Sequence, residues 1–368
     1  MQNNSKKRFL IARCDVLGDV VLSTALIPAI KDHYPNSEIY FLANKNYKGF
    51  LNKIPEIKQV IECNLPYSIS FKHINQIFSL AKEIKKLKID IFLNLWENPW
   101  YSFLSFLVFS PIRLNFKTSI WNILFASKTI PVNQKDFHTH QVTTNLSILK
   151  GININNTKKY EPYLKSIKTS STILKNNSLQ KNNYIVINLG AACSKRALEL
   201  KDITIIINYI LQYHKKFQVV LTANSPINIT SIDQHKHPNI INLVNKLTIL
   251  DLITISKYSK LIISADTGLA HIACAFKIPT IINFFTRIQN PLKWSPYNSP
   301  TTIIWSSHNC IDICSPNTCP KITCKENINL DKYKEAINKY LHPSFEYISQ
   351  KNQKFKDGLK ILLIGNNK

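Results

Sequence analysis

The sequence predicts an α/β protein built from two Rossmann-like, doubly wound domains. Short apolar runs of strand length alternate with helical stretches along most of the chain, a pattern typical of parallel sheets with helices on both faces. The alternation occurs twice, and a length of 368 residues suits two domains. Three of the seven glycines, Gly18, Gly190 and Gly268, follow predicted strands. We therefore expect ligand-binding turns at the carboxyl ends of those strands.

The first domain is predicted over residues 1–170. Its first strand, Arg8 to Arg13, is followed by the turn Asp15 to Asp19 and by an amphipathic helix from Val20 to Tyr34, whose apolar residues recur at helical spacing. Helices are also expected near Asn46 to Asn52, over Ile69 to Leu87, up to Phe109 and from Phe137 to Gly151. The other predicted strands are Glu38 to Ala43, Val60 to Cys63, Ile89 to Leu95 and Ile112 to Phe116.

Residues 153–183 are rich in Lys, Asn, Ser and Thr and are interpreted as the linker with its flanks. The second domain is predicted over residues 184–342, and residues 343–368 form a basic carboxyl-terminal tail. Helices are expected over Asp202 to Tyr213, Thr248 to Ser256 and Leu330 to Leu341. The predicted strands are Tyr184 to Leu189, Gln218 to Thr222, Ile240 to Leu243, Leu261 to Ser264 and Thr280 to Phe284.

The turn Asp266-Thr267-Gly268 lies between the strand Leu261 to Ser264 and a helix of small residues. Amide N–H groups at such a joint form an anion site of phosphate size. Gly268 allows close backbone approach, Thr267 offers a hydroxyl, and His271, about one turn into the helix, could point back to the same place. The alternative is that Asp266 or Thr267 only caps the helix and that His271 is a core histidine.

Two more turns carry charged residues at strand ends. The loop that starts at Gly190 contains the cations Lys195 and Arg196, which suit a phosphorylated ligand. In the first domain, Asp19 is expected at or next to the helix N-cap, close to the strand-end residue Arg13. Asp19 is therefore either a reactive carboxylate at the rim of the sheet or only a cap.

The charge balance limits the classes of partner. The net charge is +25, from 42 Lys and only five Arg, and such a field attracts nucleic acid, anionic membrane surfaces or phosphorylated acceptors. The chain has no Arg-rich tract, no helix-turn-helix signature and no ribonucleoprotein motif. Sequence-specific nucleic-acid binding is therefore not expected.

Hydropathy predicts no membrane-spanning segment, because no apolar run reaches about 18 residues. The amino terminus has too short an apolar run, Phe9 to Ala12, for a secretory signal. We expect a cytoplasmic protein, with peripheral contact at the inner face of the cytoplasmic membrane as a further expectation from its charge.

The eight cysteines are expected to be reduced. Four of them, Cys310, Cys314, Cys319 and Cys324, cluster without the C-x2-C pairs of a zinc ribbon, which favours a packed loop over a metal site. No Asp-x-Asp sequence occurs that could hold a metal-bound diphosphate. We therefore expect neither a metal nor a cofactor.

Two α/β domains facing each other across a cleft, one with a carboxylate and the other with phosphate-binding turns, suit transfer from an activated, phosphate-bearing donor. Without a metal, cations and helix dipoles must neutralise the leaving group.

These residues resemble the lipopolysaccharide heptosyltransferases, glycosyltransferase family 9. The family's strand, cation and Gly-Asp-Val pattern is similar to Arg13 through Val20. Its Gly-Ala and Lys-Arg pattern is similar to Gly190-Ala191 with Lys195-Arg196, and its Asp-Thr-Gly-x-x-His pattern is similar to Asp266 through His271. The family usually has Trp after Lys-Arg, where this chain has Ala197.

The resemblance implies a GT-B fold and an inverting, metal-independent glycosyltransferase. It implies a nucleotide-diphosphate sugar donor, ADP-heptose in the best-known members, and a lipid-linked anionic acceptor such as lipopolysaccharide core or a related surface glycan. Asp19 would be the general base, with Arg13 and Gly18 orienting it or the acceptor. The donor would be bound by residues of the second domain, namely Gly190, Lys195, Arg196, Asp266, Thr267, Gly268 and His271.

Two alternatives stay open from the sequence. One is a non-catalytic protein of the same fold that binds nucleotides or polyanions, and it is motivated by the +25 charge and by Ala197. The other is a GT-B sugar-nucleotide epimerase, which needs no acceptor.

Overall fold

The computed structural model describes residues 6–63, 65, 70–132, 138–155, 158–191, 197–230, 232, 237–285, 290–305 and 328–342. The chain divides into two compact units, Met1–Lys168 and Thr169–Lys368. The cysteine cluster Cys310 to Cys324 and the predicted basic tail lie outside the described residues.

The described part of the amino-terminal unit contains a sheet of six parallel strands in the order β3-β2-β1-β4-β5-β6. The chain winds outward from β1 to β3, returns to the centre, and winds outward again from β4 to β6. This is the doubly wound Rossmann order, in which the direction of winding switches between β1 and β4. The strands are β1 (Arg8–Ala12), β2 (Glu38–Asn44), β3 (Ile57–Cys63), β4 (Ile91–Asn94), β5 (Ile112–Phe116) and β6 (Lys128–Ile130).

The central strands are apolar runs because helices cover both faces of the sheet. Phe9, Leu10 and Ile11 on β1 are completely buried, as are Phe92 and Leu93 on β4. The helices of this unit are α1 (Leu17–Ser23), α2 (Leu26–His33), α3 (Lys48–Leu51), α4 (Ile74–Lys85), α5 (Pro99–Leu107), α6 (Ile120–Leu124) and α7 (Gln141–Ser147).

The predicted single helix from Val20 to Tyr34 is wrong, because the segment forms the two helices α1 and α2 with a break at Thr24 and Ala25. Pro28 explains the break. It has no N–H to donate to the carbonyl of Thr24, and its ring would clash with that carbonyl in a continuous helix. Instead, the N–H of Ile27 donates to the Thr24 carbonyl at 3.0 Å.

The described part of the carboxyl-terminal unit repeats the same order, β9-β8-β7-β10-β11-β12, again with parallel pairing. Its strands are β7 (Tyr184–Asn188), β8 (Gln218–Thr222), β9 (Ile240–Asn242), β10 (Leu261–Ala265), β11 (Thr280–Phe284) and β12 (Thr301–Trp305). Its helices are α8 (Thr172–Asn176), α9 (Leu200–Tyr213), α10 (Ile249–Lys257), α11 (Gly268–Ala275), α12 (Pro291–Trp294) and α13 (Leu330–Leu341).

The two α/β sheets predicted from the sequence are thus confirmed, with two additions at their edges. Strands β6 and β12 were not predicted, and each is the outer strand on one side of its sheet. Both begin with polar residues, Lys128-Thr129 and Thr301-Thr302. An edge strand pairs on one side only and is less buried, so its sequence lacks the apolar run by which a central strand is recognised.

The longest described helix is α9, with 14 residues. Over the described ranges, no helix is both long enough and apolar enough to cross a bilayer.

Candidate functional site

Arg13 follows β1 at the point where the winding of the first sheet switches direction. Its Nη1 donates to the carbonyl of Leu95 at 2.6 Å, and Leu95 follows the neighbouring strand β4. The carboxyl ends of the two central strands are therefore joined through one side chain. Ligands of open α/β sheets bind at this edge, next to the switch in strand order.

The Arg13 guanidinium is shared between two carboxylates. Nε donates to Oδ1 of Asp15 at 2.8 Å, and Nη2 lies 2.7 Å from Oδ2 of Asp15 and 2.6 Å from Oδ1 of Asp19. The Arg13 side chain is only 7% exposed. Burial by itself would lower the pKa of Arg13, but the charges of Asp19 and Asp15 outweigh it and raise the pKa. The guanidinium is therefore a permanent cation.

Asp19 is the third residue of α1, and the N-cap of that helix is Val16. The expectation that Asp19 lies at or next to the N-cap is therefore wrong. Its carboxylate is in the first turn, where the helix dipole favours negative charge, and it is held by Arg13. Gly18, the second residue of α1, is buried beside it.

Tyr47 was not singled out in the sequence, yet it belongs to this charged edge. It lies in a single 3-10 turn, Lys45–Tyr47, directly after β2. Burial raises the pKa of Tyr47, and the negative charges of Asp15 and Asp19 raise it further against the opposing effect of a hydrogen bond with the backbone of Leu17. The phenol therefore stays protonated at neutral pH, as a hydrogen-bonding group close to the carboxylates.

In the carboxyl-terminal unit, the corresponding switch in strand order lies between β7 and β10, which pair in parallel. Gly190 comes two residues after β7, and Asp266 and Thr267 come directly after β10. The structure therefore brings the Gly190 loop and the Asp-Thr-Gly turn to neighbouring positions on one edge of the sheet.

Asn188, the last residue of β7, connects these two turns. Its Nδ2 donates to the carbonyl of Gly190 at 2.9 Å, and it lies 3.3 Å from Oγ of Ser264 and 3.4 Å from Oγ1 of Thr267. Sequence reasoning missed this residue. The signal was a polar residue at the end of the otherwise apolar strand Tyr184–Asn188.

Helix α11 begins at Gly268, and Thr267 is its N-cap residue. The described structure shows no capping bond from the Thr267 side chain; its hydroxyl lies 3.0 Å from Oγ of Ser264. The interpretation of Thr267 as only a side-chain cap is therefore wrong. The first turn of α11 presents backbone N–H groups and the positive end of the helix dipole, which suit an anionic ligand.

His271 is the fourth residue of α11, and its side chain is 4% exposed. Its Nε2 lies 4.0 Å from Oδ1 of Asp266. The histidine is thus buried, as the core alternative requires, and it also points back to the turn, as predicted from the helical spacing.

Three comparisons with known proteins bear on this site. The family model for glycosyltransferase family 9 (heptosyltransferase) matches residues 77–323, more than half of the chain. The chain belongs to glycosyltransferase family 9. The resemblance found in the sequence is thereby confirmed, and the protein is a glycosyltransferase.

Curated relatives of this family 9 glycosyltransferase carry heptosyltransferase names. Lipopolysaccharide heptosyltransferase 3 of Escherichia coli K12 is 24% identical over 307 residues, covering 79% of this chain and 86% of the relative. Lipooligosaccharide heptosyltransferase 2 of Campylobacter jejuni is 22% identical over 339 residues, covering 89% of this chain and 97% of the relative.

Solved structures share the fold of the family 9 chain. The glycosyl transferase family 9 protein from Veillonella parvula superimposes with a TM-score of 0.75 at 17% identity, covering 92% of this chain and 98% of that one. The ADP-heptose lps heptosyltransferase II of Escherichia coli gives 0.70 at 14% identity, covering 90% and 98%. The predicted GT-B fold is confirmed.

The cationic part of the predicted donor site, Lys195 and Arg196, lies outside the described residues of this glycosyltransferase. Within the described ranges, no group of three or more His, Cys, Asp and Glu side chains is arranged to hold a metal ion.

Proposed function

We propose that this family 9 glycosyltransferase moves heptose from ADP-heptose to lipopolysaccharide core or a related surface glycan, with inversion and without a metal. The names of the curated relatives support the sugar and the acceptor class. The observation that carries the proposal is the Asp19 carboxylate, fixed by Arg13 at the switch in strand order.

On this proposal, Asp19 is the general base that takes the proton of the acceptor hydroxyl as it attacks the anomeric carbon. An aspartate is ionised at neutral pH, and a positioned base contributes about 10²- to 10⁴-fold in rate. Arg13 orients the carboxylate and stays charged throughout, because its raised pKa keeps the guanidinium protonated. Asp15 binds Nε and Nη2 of the same guanidinium and is a positioning residue.

The donor diphosphate is proposed to bind at the joined turns of the second unit. Gly190 and Gly268 supply backbone that a phosphate can approach, and the first turn of α11 supplies amide N–H groups. His271, with Asp266 beside it, stabilises negative charge when protonated. Lys195 and Arg196 complete the proposed site as cations. Together these groups neutralise the nucleoside diphosphate as it leaves, the task that a metal performs in other transferases.

The acceptor is proposed to be lipid-linked and anionic. A net charge of +25 attracts such an acceptor and an anionic membrane surface. The protein would then work as a peripheral protein at the inner face of the cytoplasmic membrane.

The donor is tested first by thermal unfolding with ADP-, GDP-, UDP- and CDP-linked sugars, each without added metal. A ligand at 100 times its dissociation constant stabilises the folded state by about 2.7 kcal/mol, enough for a shift of a few degrees in the unfolding midpoint. A shift with ADP-heptose alone is expected. No shift with any nucleotide sugar, together with salt-dependent binding of arbitrary nucleic acid, would favour a non-catalytic polyanion-binding protein instead.

Product analysis then separates transfer from isomerisation. The UDP-GlcNAc 2-epimerase of Methanocaldococcus jannaschii shares the fold with a TM-score of 0.55 at 12% identity, so an epimerase is the second candidate. Incubation with the donor alone should leave the sugar unchanged, and addition of lipopolysaccharide lacking its heptoses should release ADP. A new sugar isomer without an acceptor would overturn the transferase proposal.

A further inference from the structure

Helix α6 of the amino-terminal unit buries its polar residue and exposes its apolar residues, the reverse of an ordinary surface helix. Its polar residue, Asn122, is buried, whereas Ile120, Trp121 and Leu124 are 74%, 49% and 64% exposed. An amphipathic helix normally buries its apolar side. Four large apolar residues in a five-residue helix therefore face outward around one polar residue that faces inward, Ile123 being the fourth.

The buried hydrogen bonds of Asn122 fix this orientation. Its Oδ1 accepts from the hydroxyl of Ser102, and its Nδ2 donates to Oγ1 of Thr118 at 2.7 Å and to the carbonyl of Phe116 at 3.3 Å. Nδ2 of Asn115 in turn donates to the backbone carbonyl of Asn122 at 3.0 Å. Rotating the helix to bury its apolar residues would break the side-chain bonds of Asn122 and leave buried polar groups unpaired, which is costly.

The neighbouring helix α5 buries Tyr101 and Leu104 in the core, as an ordinary amphipathic helix does, but it also buries two serines and exposes one aromatic ring. Ser102 and Ser105 are completely buried, with Oγ of Ser105 donating to the carbonyl of Ser102 at 2.7 Å. Phe106, on the outer side of the helix, is exposed. Two adjacent helices thus bury hydroxyl or amide groups while they expose large apolar side chains.

The exposed and half-buried rings on and next to these two helices form one connected surface, which we call the aromatic ridge. Phe125 lies at its centre, with ring centroids 5.3 Å from Phe103, 5.6 Å from Phe106 and 6.1 Å from Trp121. Trp100 continues the ridge from Phe103 at 6.3 Å.

Three further rings extend the ridge at its ends. Phe71 packs edge-on against Trp100, Phe78 packs against Phe103, and Phe109 packs against Phe106. Phe71, Phe78 and Phe109 are all exposed. A contiguous exposed apolar surface of this kind marks an interaction site, since scattered single apolar residues are the norm on a protein surface.

The border of the ridge is basic. Nζ of Lys85 lies 4.3 Å from the ring centroid of Phe109, and the guanidinium carbon of Arg113 lies 5.9 Å from that of Phe106. Between residues 71 and 128 the sequence has eight Lys and Arg residues against three acidic residues. One of the three, Asp90, is engaged by the backbone N–H of Arg8.

We propose that the aromatic ridge is a membrane-docking surface that inserts into the interfacial region of an anionic lipid bilayer. Aromatic side chains and neighbouring lysines are the composition that partitions into this region, the rings at the headgroup level and the ammonium groups at the lipid phosphates. Protein interfaces, in contrast, are depleted in Lys. A symmetric dimer through this face would also bring two basic borders together, because an isologous contact places the same patch on both subunits.

The proposal is tested by co-sedimentation of the full chain with phosphatidylcholine vesicles and with vesicles that also contain phosphatidylglycerol. Binding is expected to the anionic vesicles, and the double variant Trp121→Ser, Leu124→Ser should weaken it by at least about tenfold, since each substitution removes a half-exposed apolar side chain from the contact. Lys85→Glu should weaken binding by about fivefold or more, because it removes one lysine near the anionic surface and adds a carboxylate that the lipid phosphates repel.

The matched control is the double variant Ile205→Ser, Tyr213→Ser on α9, where both residues are exposed apolar residues of the other unit. It should bind vesicles like the unchanged protein. Trp121→Phe should retain most of the binding, because it keeps an aromatic ring at the same position. Equal unfolding temperatures for the variants and the unchanged protein would show that the fold is intact.

Three results would overturn the proposal. The first is a ridge variant that binds anionic vesicles as well as the unchanged protein, and the second is an equal loss in the α9 control. The third is a concentration-dependent dimer in solution that the ridge variant abolishes, which would assign the ridge to a second copy of the chain. No sugar transfer enters this test, so its failure is separate from failure of the proposed reaction.

Discussion

Nη2 of Arg13 lies 2.6 Å from Oδ1 of Asp19, and the same nitrogen lies 2.7 Å from Oδ2 of Asp15. One guanidinium therefore positions two carboxylates, which differ in where they lie and in how they contact Arg13. Asp15 is in the turn after β1 and binds the guanidinium through both of its oxygens, whereas Asp19 is in the first turn of α1. This geometry supports the proposal that Asp15 anchors Arg13 and that Asp19 is the general base.

The substitution Asp19→Asn should lower kcat for sugar transfer by about 10²- to 10⁴-fold, because the amide cannot accept the acceptor's proton. The amide oxygen can still accept a hydrogen bond from Arg13, so we expect the unfolding temperature to change little. The measurement is steady-state release of ADP from ADP-heptose with a heptose-free lipopolysaccharide acceptor.

Asp15→Asn is the matched control for Asp19. This substitution removes a carboxylate that contacts the same guanidinium but keeps the proposed base, so the loss of kcat should be much smaller. Thermal stability should fall, because Arg13 loses one of its two ion pairs. Transfer by Asp19→Asn at the unchanged rate would show that Asp19 is structural.

The substitution Gly190→Ala should weaken donor binding without destabilising the protein. A Cβ at this position would lie 3.4 Å from Cβ of Ala223 and 3.6 Å from Oδ1 of Asn224, which are ordinary van der Waals distances. The added methyl would instead obstruct a phosphate that approaches the backbone. We expect the unfolding temperature without ligand to stay the same, and the dissociation constant for ADP, measured by titration calorimetry, to rise about tenfold or more.

Gly151→Ala provides the opposite case. Its Cβ would lie 2.7 Å from both Cδ1 and Cδ2 of the buried Leu114 and 3.2 Å from Cδ1 of Ile130. Overpacking of this kind costs about 1–3 kcal/mol, so this variant should lose stability and keep its affinity for ADP. If the two glycine variants behaved alike in both measurements, the proposed role of Gly190 would be wrong.

The substitution Asn188→Ala should affect both stability and donor affinity. It removes the donor group shared by Gly190, Ser264 and Thr267, and loss of buried hydrogen bonds costs about 1–3 kcal/mol. Because the two turns would no longer be held together, the dissociation constant for ADP should rise as well. Urea unfolding and calorimetry give the two quantities.

Asn239→Ala is a suitable comparison for Asn188. Nδ2 of Asn239 donates to the carbonyl of Lys215 at 3.2 Å. Asn239 directly precedes β9 and therefore lies at the amino ends of the parallel strands, whereas Asn188 lies at their carboxyl ends. We expect a small loss of stability and no change in the affinity for ADP. A similar change of affinity in both variants would mean that Asn188 acts through general stability only.

The stability of the amino-terminal unit should depend on pH through Glu38. Hydrogen bonds from Lys58 and Lys6, with a further one from Tyr40, lower the pKa of Glu38 from 4.5 to about 2 against the opposing effect of burial. A carboxylate with a lowered pKa in the folded state stabilises that state fully above its unfolded pKa, and this contribution is lost as the pH falls from about 4.5 to about 2.

Glu38→Gln should therefore flatten the pH dependence of the free energy of unfolding over this acidic range, as measured by urea unfolding at a series of pH values. High salt should reduce the effect in the unchanged protein, because both lysines are largely exposed. Glu62→Gln, which removes a single exposed pair with Lys48, should leave the slope in place. If the free energy of unfolding of Glu38→Gln depended on pH as in the unchanged protein, the attribution of this pH dependence to Glu38 would be wrong.

The sequence by itself determined the two α/β sheets and the positions of three glycine-containing turns at the ends of their strands. Apolar runs such as Phe9 to Ala12 and Ile185 to Ile187 predict central strands, because a strand covered on both faces must be apolar throughout. The turns at Gly18, Gly190 and Gly268 then follow, since carboxyl ends of parallel strands share one edge. Helical spacing also predicted that His271 points back to the Asp-Thr-Gly turn.

Only the tertiary structure decided how the side chains at those edges are held. Nη1 of Arg13 donates to a carbonyl 82 residues away, and Asn188 bonds a hydroxyl 76 residues away. No local pattern encodes such contacts, because they depend on which strands become neighbours. The aromatic ridge has the same origin: α6 has an apolar sequence that predicts burial, and the buried bonds of Asn122 to separate elements turn those apolar residues outward.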